Sequence, residues 1–147
     1  MIWAGIYHDG KTELLTVPGN LNAQRYCDEI HEPVALPFMQ QYNVGIFQPD
    51  NVLPHTARHT QGFPRRNNVQ LLPWPARSPD LSPFEHIWGH LGRRVRGNND
   101  VDDVRDLERA LRVEWARILL RVVRKLICSM RRRCLAVLAC NWGHTRY

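Results

Sequence analysis

The sequence predicts a mixed α/β fold, and three observations carry that expectation. Two strand-like apolar runs flank an Asp-Gly pair at the start of the chain. Short apolar runs then alternate with helix-like segments up to about residue 75. From Ser82 onward, helical periodicity and capping residues dominate. Alternation of strand and helix favours parallel pairing of the later strands, and the opening hairpin adds antiparallel pairing. A mixed sheet with flanking helices and a helical C-terminal end is therefore expected.

The opening "MIWAGIYHDGKTELLTV" reads as two strands around a turn at Asp9-Gly10, a strong hairpin signal. Pro18-Gly19-Asn20 ends the second strand. In "NAQRYCDEIHE", Tyr26 and Ile30 stand four apart behind Asn22, a suitable N-cap, so a helix is expected there. Pro33 and Pro37 are expected to kink or split the helical backbone beyond it. "VGIFQ" reads as a short buried strand, then a helix from about Thr56, then "VQLLPW" as another strand. The helix from Thr56 should stop near Gln61, because Gly62 and Pro64 cost roughly 1 and 3 kcal/mol in a helix interior.

"SPDLSPFEHIWGHLGRRVRG" marks a helix start clearly. Ser82 suits the N-cap, Pro83 the first helical position, and Glu85 the third. Ile87, Leu91 and Val95 repeat every four residues beside Trp88, which implies one buried face ending at Gly97. A second start falls at "NNDVDDV", with Asp100 as cap. Val104, Leu107, Leu111, Ile118, Val122, Leu126 and Met130 then read as an apolar stripe. "WARILLRVV" within it favours one long helix. Residues 1–97 are taken as the α/β part and 98–147 as a helical, basic segment of the same domain.

The 147 residues suffice for one domain with a core, and 44% apolar with 23% charged residues is ordinary for a globular chain. Charge is unevenly placed. Residues 1–114 hold 12 basic and all 14 acidic residues, whereas 115–147 hold 8 basic residues and no acid. Such a segment suits a polyanion such as nucleic acid, and the solvated face of a helix is the other reading. Cys27, Cys128, Cys134 and Cys140 form no C-x-x-C pair, so neither zinc nor a compact disulfide framework is indicated. Reduced thiols of a cytosolic or nuclear protein are expected. No basic flank and apolar core of a signal peptide opens the chain. Seven basic residues interrupt the apolar stretch at 115–140, so no membrane span and no membrane partner is expected.

Two carboxylates stand out. Asp50 follows the "VGIF" run, where a turn residue and a metal ligand are both reasonable, since open α/β sheets place chemistry at the carboxyl ends of strands. Glu85 fits a capping box with Ser82 and equally fits a second ligand. The two are separated by 34 residues.

That separation, with "IFQPDNVLPHTAR", "LLPWPARSPDLSPFEHIWGHLGRRVR", "CSMRRRC", "GHTRY", "GNLNAQRY" and "MIWAGI", resembles the Tc1/mariner superfamily of transposases, over nearly the whole chain. The matching part is the C-terminal half of their DDE catalytic domain. The resemblance implies a truncated RNase-H-like fold and, in the intact family, three acids holding two Mg²⁺ ions. Asp50 matches the second acid and Glu85 the third. Mg²⁺ takes hard oxygen ligands, commonly one or two carboxylates plus substrate phosphate. The implied chemistry is cleavage at transposon ends by water, then attack of the freed 3′-hydroxyl on target DNA at a TA dinucleotide. The implied place of action is the nucleus, with a homodimer only in the intact protein. Asn51 and His55 follow Asp50 as in the family motif and are expected to orient the acid or approach DNA. Thr56 shares that motif or caps a helix. Arg121, Arg124, Lys125, Arg131, Arg132 and Arg133 are the expected DNA-binding residues. His86 and His90 read as polar face residues, and Trp74 and Trp88 as core.

The chain departs from the family pattern in several places. The family's first acid lies on a strand upstream of the segment matching "MIWAGI", where these residues start, and Asp9 is a turn residue that does not match it. Pro49 replaces a usual Gln, and Gly62-Phe63-Pro64 interrupts a helix the family keeps continuous. The expectation is a transposase fragment that binds Mg²⁺ weakly or not at all and does not cut DNA alone. The alternative is a non-enzymatic nucleic-acid-binding or vestigial protein of transposon origin.

Overall fold

The structure is a computed structural model that describes residues 1–48, 66–75, 78–97 and 101–140. The Asp50 strand tip, Asn51, His55, the helix expected from Thr56, Gly62–Pro64 and the Asp100 cap lie outside the described residues. Packing divides the chain into two compact units: Met1–Gly5 with Leu15–Ala76, and Ile6–Leu14 with Arg77–Tyr147.

In the first unit, β1 (Ile2–Trp3) pairs antiparallel with β4 (Leu15–Thr16). Gly19 turns the chain at φ 68°, in the left-handed region that glycine adopts without strain. Asn22 then caps α1 (Ala23–Tyr26), its side chain accepting from the Arg25 N–H at 2.9 Å, as expected. Helical backbone continues without a break through a π-helical segment (Cys27–Ala35) into α2 (Leu36–Gln41). The expected split at Pro33 and Pro37 does not occur. Pro33 sits inside the π segment, where bonds reach back five residues, as from Leu36 N–H to the His31 carbonyl. The wider turn relieves the i−4 bond that a proline cannot make. Asn43, at φ 51°, ends the helix.

β5 (Ile46–Phe47) and β6 (Gln70–Leu71) then pair in parallel, with Gln70 N–H donating to the Gly45 carbonyl at 2.7 Å. Parallel pairing was expected; full burial was not met, because Ile46 is 53% exposed. Among the described residues each ladder has two strands. The core of this unit is Val17, Tyr26 and Ile30, with Trp3, Leu15 and Leu21 packed on it. Burial of Cys27 pushes its thiol above the ordinary range, as befits an inert core cysteine. His31 packs edge-on to the Tyr26 and Phe47 rings.

In the second unit, β2 (Ile6–Tyr7) and β3 (Gly10–Lys11) form the hairpin. Its turn lies at His8-Asp9, one residue before the expected Asp9-Gly10, because Gly10 already pairs with Tyr7. The Asp9 carboxylate accepts from Arg124, and contact with His8 and Arg124 holds it below the usual carboxylate range. A 3₁₀ turn (Pro79–Leu81) precedes α3 (Pro83–Arg96). α3 buries Ile87, Leu91 and Val95 and stops at Gly97, all as expected. α4 (Val104–Arg117) starts three residues later than Asp100 would place it, with Asp103 accepting from Asp106 N–H at 2.8 Å.

The expected stripe and the single long helix are both corrected here. Ile118 and Leu119 are extended, and α5 (Leu120–Cys128) and α6 (Met130–Ala139) come next as separate helices. Val104 is 80% exposed, and Leu107 and Val122 also face solvent, whereas Trp115, Ile118 and Val123 are buried. Lys11 supplies the physical reason: its ammonium donates to the carbonyls of Trp115, Ala116 (3.3 Å) and Ile118 (2.7 Å). A cation on the last turn satisfies carbonyls a continuing helix would have used itself. Glu114, accepting from Arg94 on α3 and Arg117, further ties α3 to α4, and Arg94 holds its carboxyl below the usual range. No helix among the described residues is long and apolar enough to cross a membrane.

The register of α4 and the helix caps each make a stability prediction. Trp115→Ala should cost about 3–5 kcal/mol, while Val104→Ala should stay within about 0.5 kcal/mol, as urea unfolding will measure. Asp103→Ala should cost about 1 kcal/mol, whereas Ser82→Ala, whose side chain makes no cap bond, should cost well under that.

Candidate functional site

Glu85 stands in the first turn of α3, where Pro83 pre-sets the helical backbone and Ser82 leads in with extended geometry. A capping box would engage it by sending its carboxylate back to the Ser82 N–H. That N–H already donates to the Pro79 carbonyl at 2.9 Å, closing the 3₁₀ turn. The cap reading of Glu85 therefore has no donor left for it. Its exposed carboxylate instead lines an open cleft of about 310 Å³ with Pro79, Asp80, His86, Gly89 and Arg93.

The cleft mixes two acids with a cation and an imidazole. Arg133 on α6 contacts two of its lining residues: it donates to the Asp80 carbonyl at 3.0 Å and approaches His86 Nδ1 at 3.4 Å. Guanidinium has donors only, so Nδ1 must accept and His86 is the neutral tautomer with its proton on Nε2. Desolvation, then the charges of Arg133 and Arg93, pushes the imidazole below its ordinary pKa. That leaves Nδ1 committed, in keeping with His86 as a polar face residue. His90 is half-buried one turn on. Trp88 lies in an aromatic row with Phe84 (centroids 5.1 Å apart) and Trp115 (6.3 Å) and, like Trp74, is half-buried.

Of the expected site residues, Asp50, Asn51 and His55 lie outside the described residues. Arg121, Arg124 and Lys125 on α5 and Arg131 and Arg132 on α6 are exposed. Arg124 is engaged with Asp9 at 2.9 Å. Arg133 departs from the expected basic face: it is only 2% exposed and turned inward. Asp80 and Arg93 were not among the expected site residues. Asp80 sits in the same "SPDLSPFE" segment as Glu85, within the 3₁₀ turn that lines the cleft. Among the described residues no group of three or more His, Cys, Asp or Glu is placed to hold a metal ion. A single carboxylate in an open cleft still fits Mg²⁺, which completes its shell with waters and phosphate oxygens.

No protein-family model matches the chain. It is 37% identical, over its whole length, to the transposable element Tc1 transposase of Caenorhabditis elegans and covers 54% of that protein. It is 35% identical over the same extent to the Tcb1 transposase of Caenorhabditis briggsae, again covering 54%. The chain thus spans about half the length of these relatives. Among solved structures, the catalytic domain of Mos1 mariner transposase superposes with a TM-score of 0.80 at 23% identity, over 99% of this chain and 74% of that one. The same catalytic domain has been solved with raltegravir and Mg (TM-score 0.78, 23% identity, 99% and 75% covered). A Mos1 paired-end complex with Mn matches at 0.75 and 23% identity, over 95% of this chain and 43% of that one. Sequence identity along the full chain, together with the RNase-H-like fold it shares with the mariner catalytic domain, identifies this protein as a homologue of the Tc1/mariner transposases.

Proposed function

We propose that the chain forms part of a DDE transposase catalytic domain, with Asp50 and Glu85 as metal-ligating carboxylates and DNA as the partner. One observation carries the site: Glu85 faces an open cleft while the backbone donor that would have capped it is already taken. Transposases among the relatives support the reaction class. Divalent ions held by these carboxylates would supply activation of an attacking oxygen and stabilisation of a leaving one at phosphorus.

The chain's own residues have three tasks in this reading. Asp50 and Glu85 present hard oxygen ligands. The Phe84–Trp88–Trp115 row keeps the first turn of α3 from shifting, which matters because a misplacement of about 1 Å can cost on the order of 100-fold in rate. Arg121, Arg124, Lys125, Arg131 and Arg132 neutralise phosphates, and such work on DNA belongs in the nucleus.

These 147 residues contain matches to two of the family's three acids. Alone they should not nick or join transposon-end DNA in Mg²⁺ or Mn²⁺. A cleavage assay beside Asp50→Ala checks this; metal-dependent cutting by the parent that the substitution abolishes would show that another residue replaces the family's first acid. DNA binding should nonetheless be measurable, sequence-independent and salt-sensitive. Each phosphate neutralised adds about 0.9 to the log–log salt slope on duplex DNA. Replacing Arg121, Lys125, Arg131 and Arg132 with Ala should therefore flatten the slope by up to about 3.6. An unchanged slope would make these side chains a solvated surface only.

A further inference from the structure

We infer that Arg133 is a positioning residue for Glu85, an inference that rests on the reading of Glu85 as a metal ligand. By sequence Arg133 belongs to the basic run 131–133, yet it is among the most buried large side chains of the protein. Removing a guanidinium from water costs several kcal/mol unless its donors are satisfied, and here both Nη1 and Nε are engaged. Nη1 serves the Asp80 carbonyl, in the 3₁₀ turn just before Ser82, and His86 Nδ1, one residue past Glu85. Nε donates to Ser129 Oγ at 2.8 Å, and that hydroxyl donates in turn to the Leu126 carbonyl at 2.6 Å. The guanidinium therefore clamps the chain on both sides of Glu85 and is itself fixed at the junction of α5 and α6. Its planar fork sets a direction as well as a charge, which a lysine cannot reproduce. Holding residues 80 and 86 to one rigid group restricts the arc through which the Glu85 carboxylate can swing.

Mn²⁺ titration of the full chain, with paramagnetic broadening of the Glu85 to Gly89 amides as the readout, tests both layers separately. Parent protein should show saturable broadening, and Glu85→Ala should lose it. Arg133→Met should weaken Mn²⁺ about 10-fold or more, the loss typical of removing a group that orients a ligand. Arg133→Lys should recover only part of it, and Ser129→Ala should give a smaller loss in the same direction. Val137→Ala, a buried change on α6 at a residue outside the cleft lining, controls for general destabilisation. It should bind Mn²⁺ like the parent at a temperature where all variants are folded. If Arg133→Met is too unstable to study, Ser129→Ala and Arg133→Lys decide alone. Loss of broadening in Glu85→Ala with parental affinity in the Arg133 and Ser129 variants overturns the positioning role and leaves Glu85 as ligand. Parental broadening in Glu85→Ala, or none in the parent, overturns both. Equal weakening in Val137→Ala and Arg133→Met reduces Arg133 to a general structural role.

Discussion

Trp115 is the hinge of the second unit. Its indole N–H donates to the Thr12 carbonyl at 2.8 Å, while Lys11, beside Thr12, lies 5.1 Å from the ring centroid and bonds the carbonyls at the end of α4. A hairpin of two-residue strands has little stability of its own in water. Here its polar backbone and its one lysine are spent on a helix terminus more than a hundred residues away, and Arg112 adds a bond to the Leu14 carbonyl. Burial pulls the Lys11 ammonium below its ordinary pKa, yet three carbonyl acceptors replace the water it loses. Trp115 also meets Phe84 and Trp88, so the clasp extends through the aromatic row to the turn that presents Glu85.

This arrangement divides the basic C-terminal segment into two kinds of cation. Exposed side chains such as Arg121 and Lys125 are available to a polyanion. Arg133 is withdrawn from that role and made part of the framework. Arg124 stands between, exposed but engaged with Asp9 at the hairpin tip, an exposed pair of small energetic weight. The uneven charge of the chain therefore overstates its exposed basic surface, since at least one of its arginines serves packing and geometry.

Several local features were legible because their causes are local. Asn22, Pro83, Gly97 and the Ile87–Leu91–Val95 repeat each act within a turn or two of helix, and each behaves as its position suggests. Errors arose where a distant partner outweighed the local pattern. The apolar run from Val104 to Met130 repeats smoothly, yet Lys11 holds the carbonyls where the helix ends before Ile118, and Trp115 at that end is buried while Val104 at the other end is exposed. Pro33 breaks helices as a rule, but a π segment absorbs it. The turn expected at Asp9-Gly10 was displaced by one residue, with Asp9 held by Arg124.

Two acids at the family's own spacing, a hairpin, parallel strands and a helix carrying Glu85 are properties of short stretches, and the sequence by itself determined them. Whether Glu85 caps its helix or faces an open cleft was not among them. That depended on the Pro79 carbonyl taking the Ser82 N–H first, a competition settled by the fold of the 3₁₀ turn. Nor could the sequence assign Arg133, whose neighbours Arg131 and Arg132 look identical in composition. Only packing of α6 against the cleft, across 47 residues to His86 and 53 to Asp80, selects which of three adjacent arginines is buried. Side-chain identity is written residue by residue, but the choice of partner for a long cation is made by whatever surface the completed fold brings beneath it.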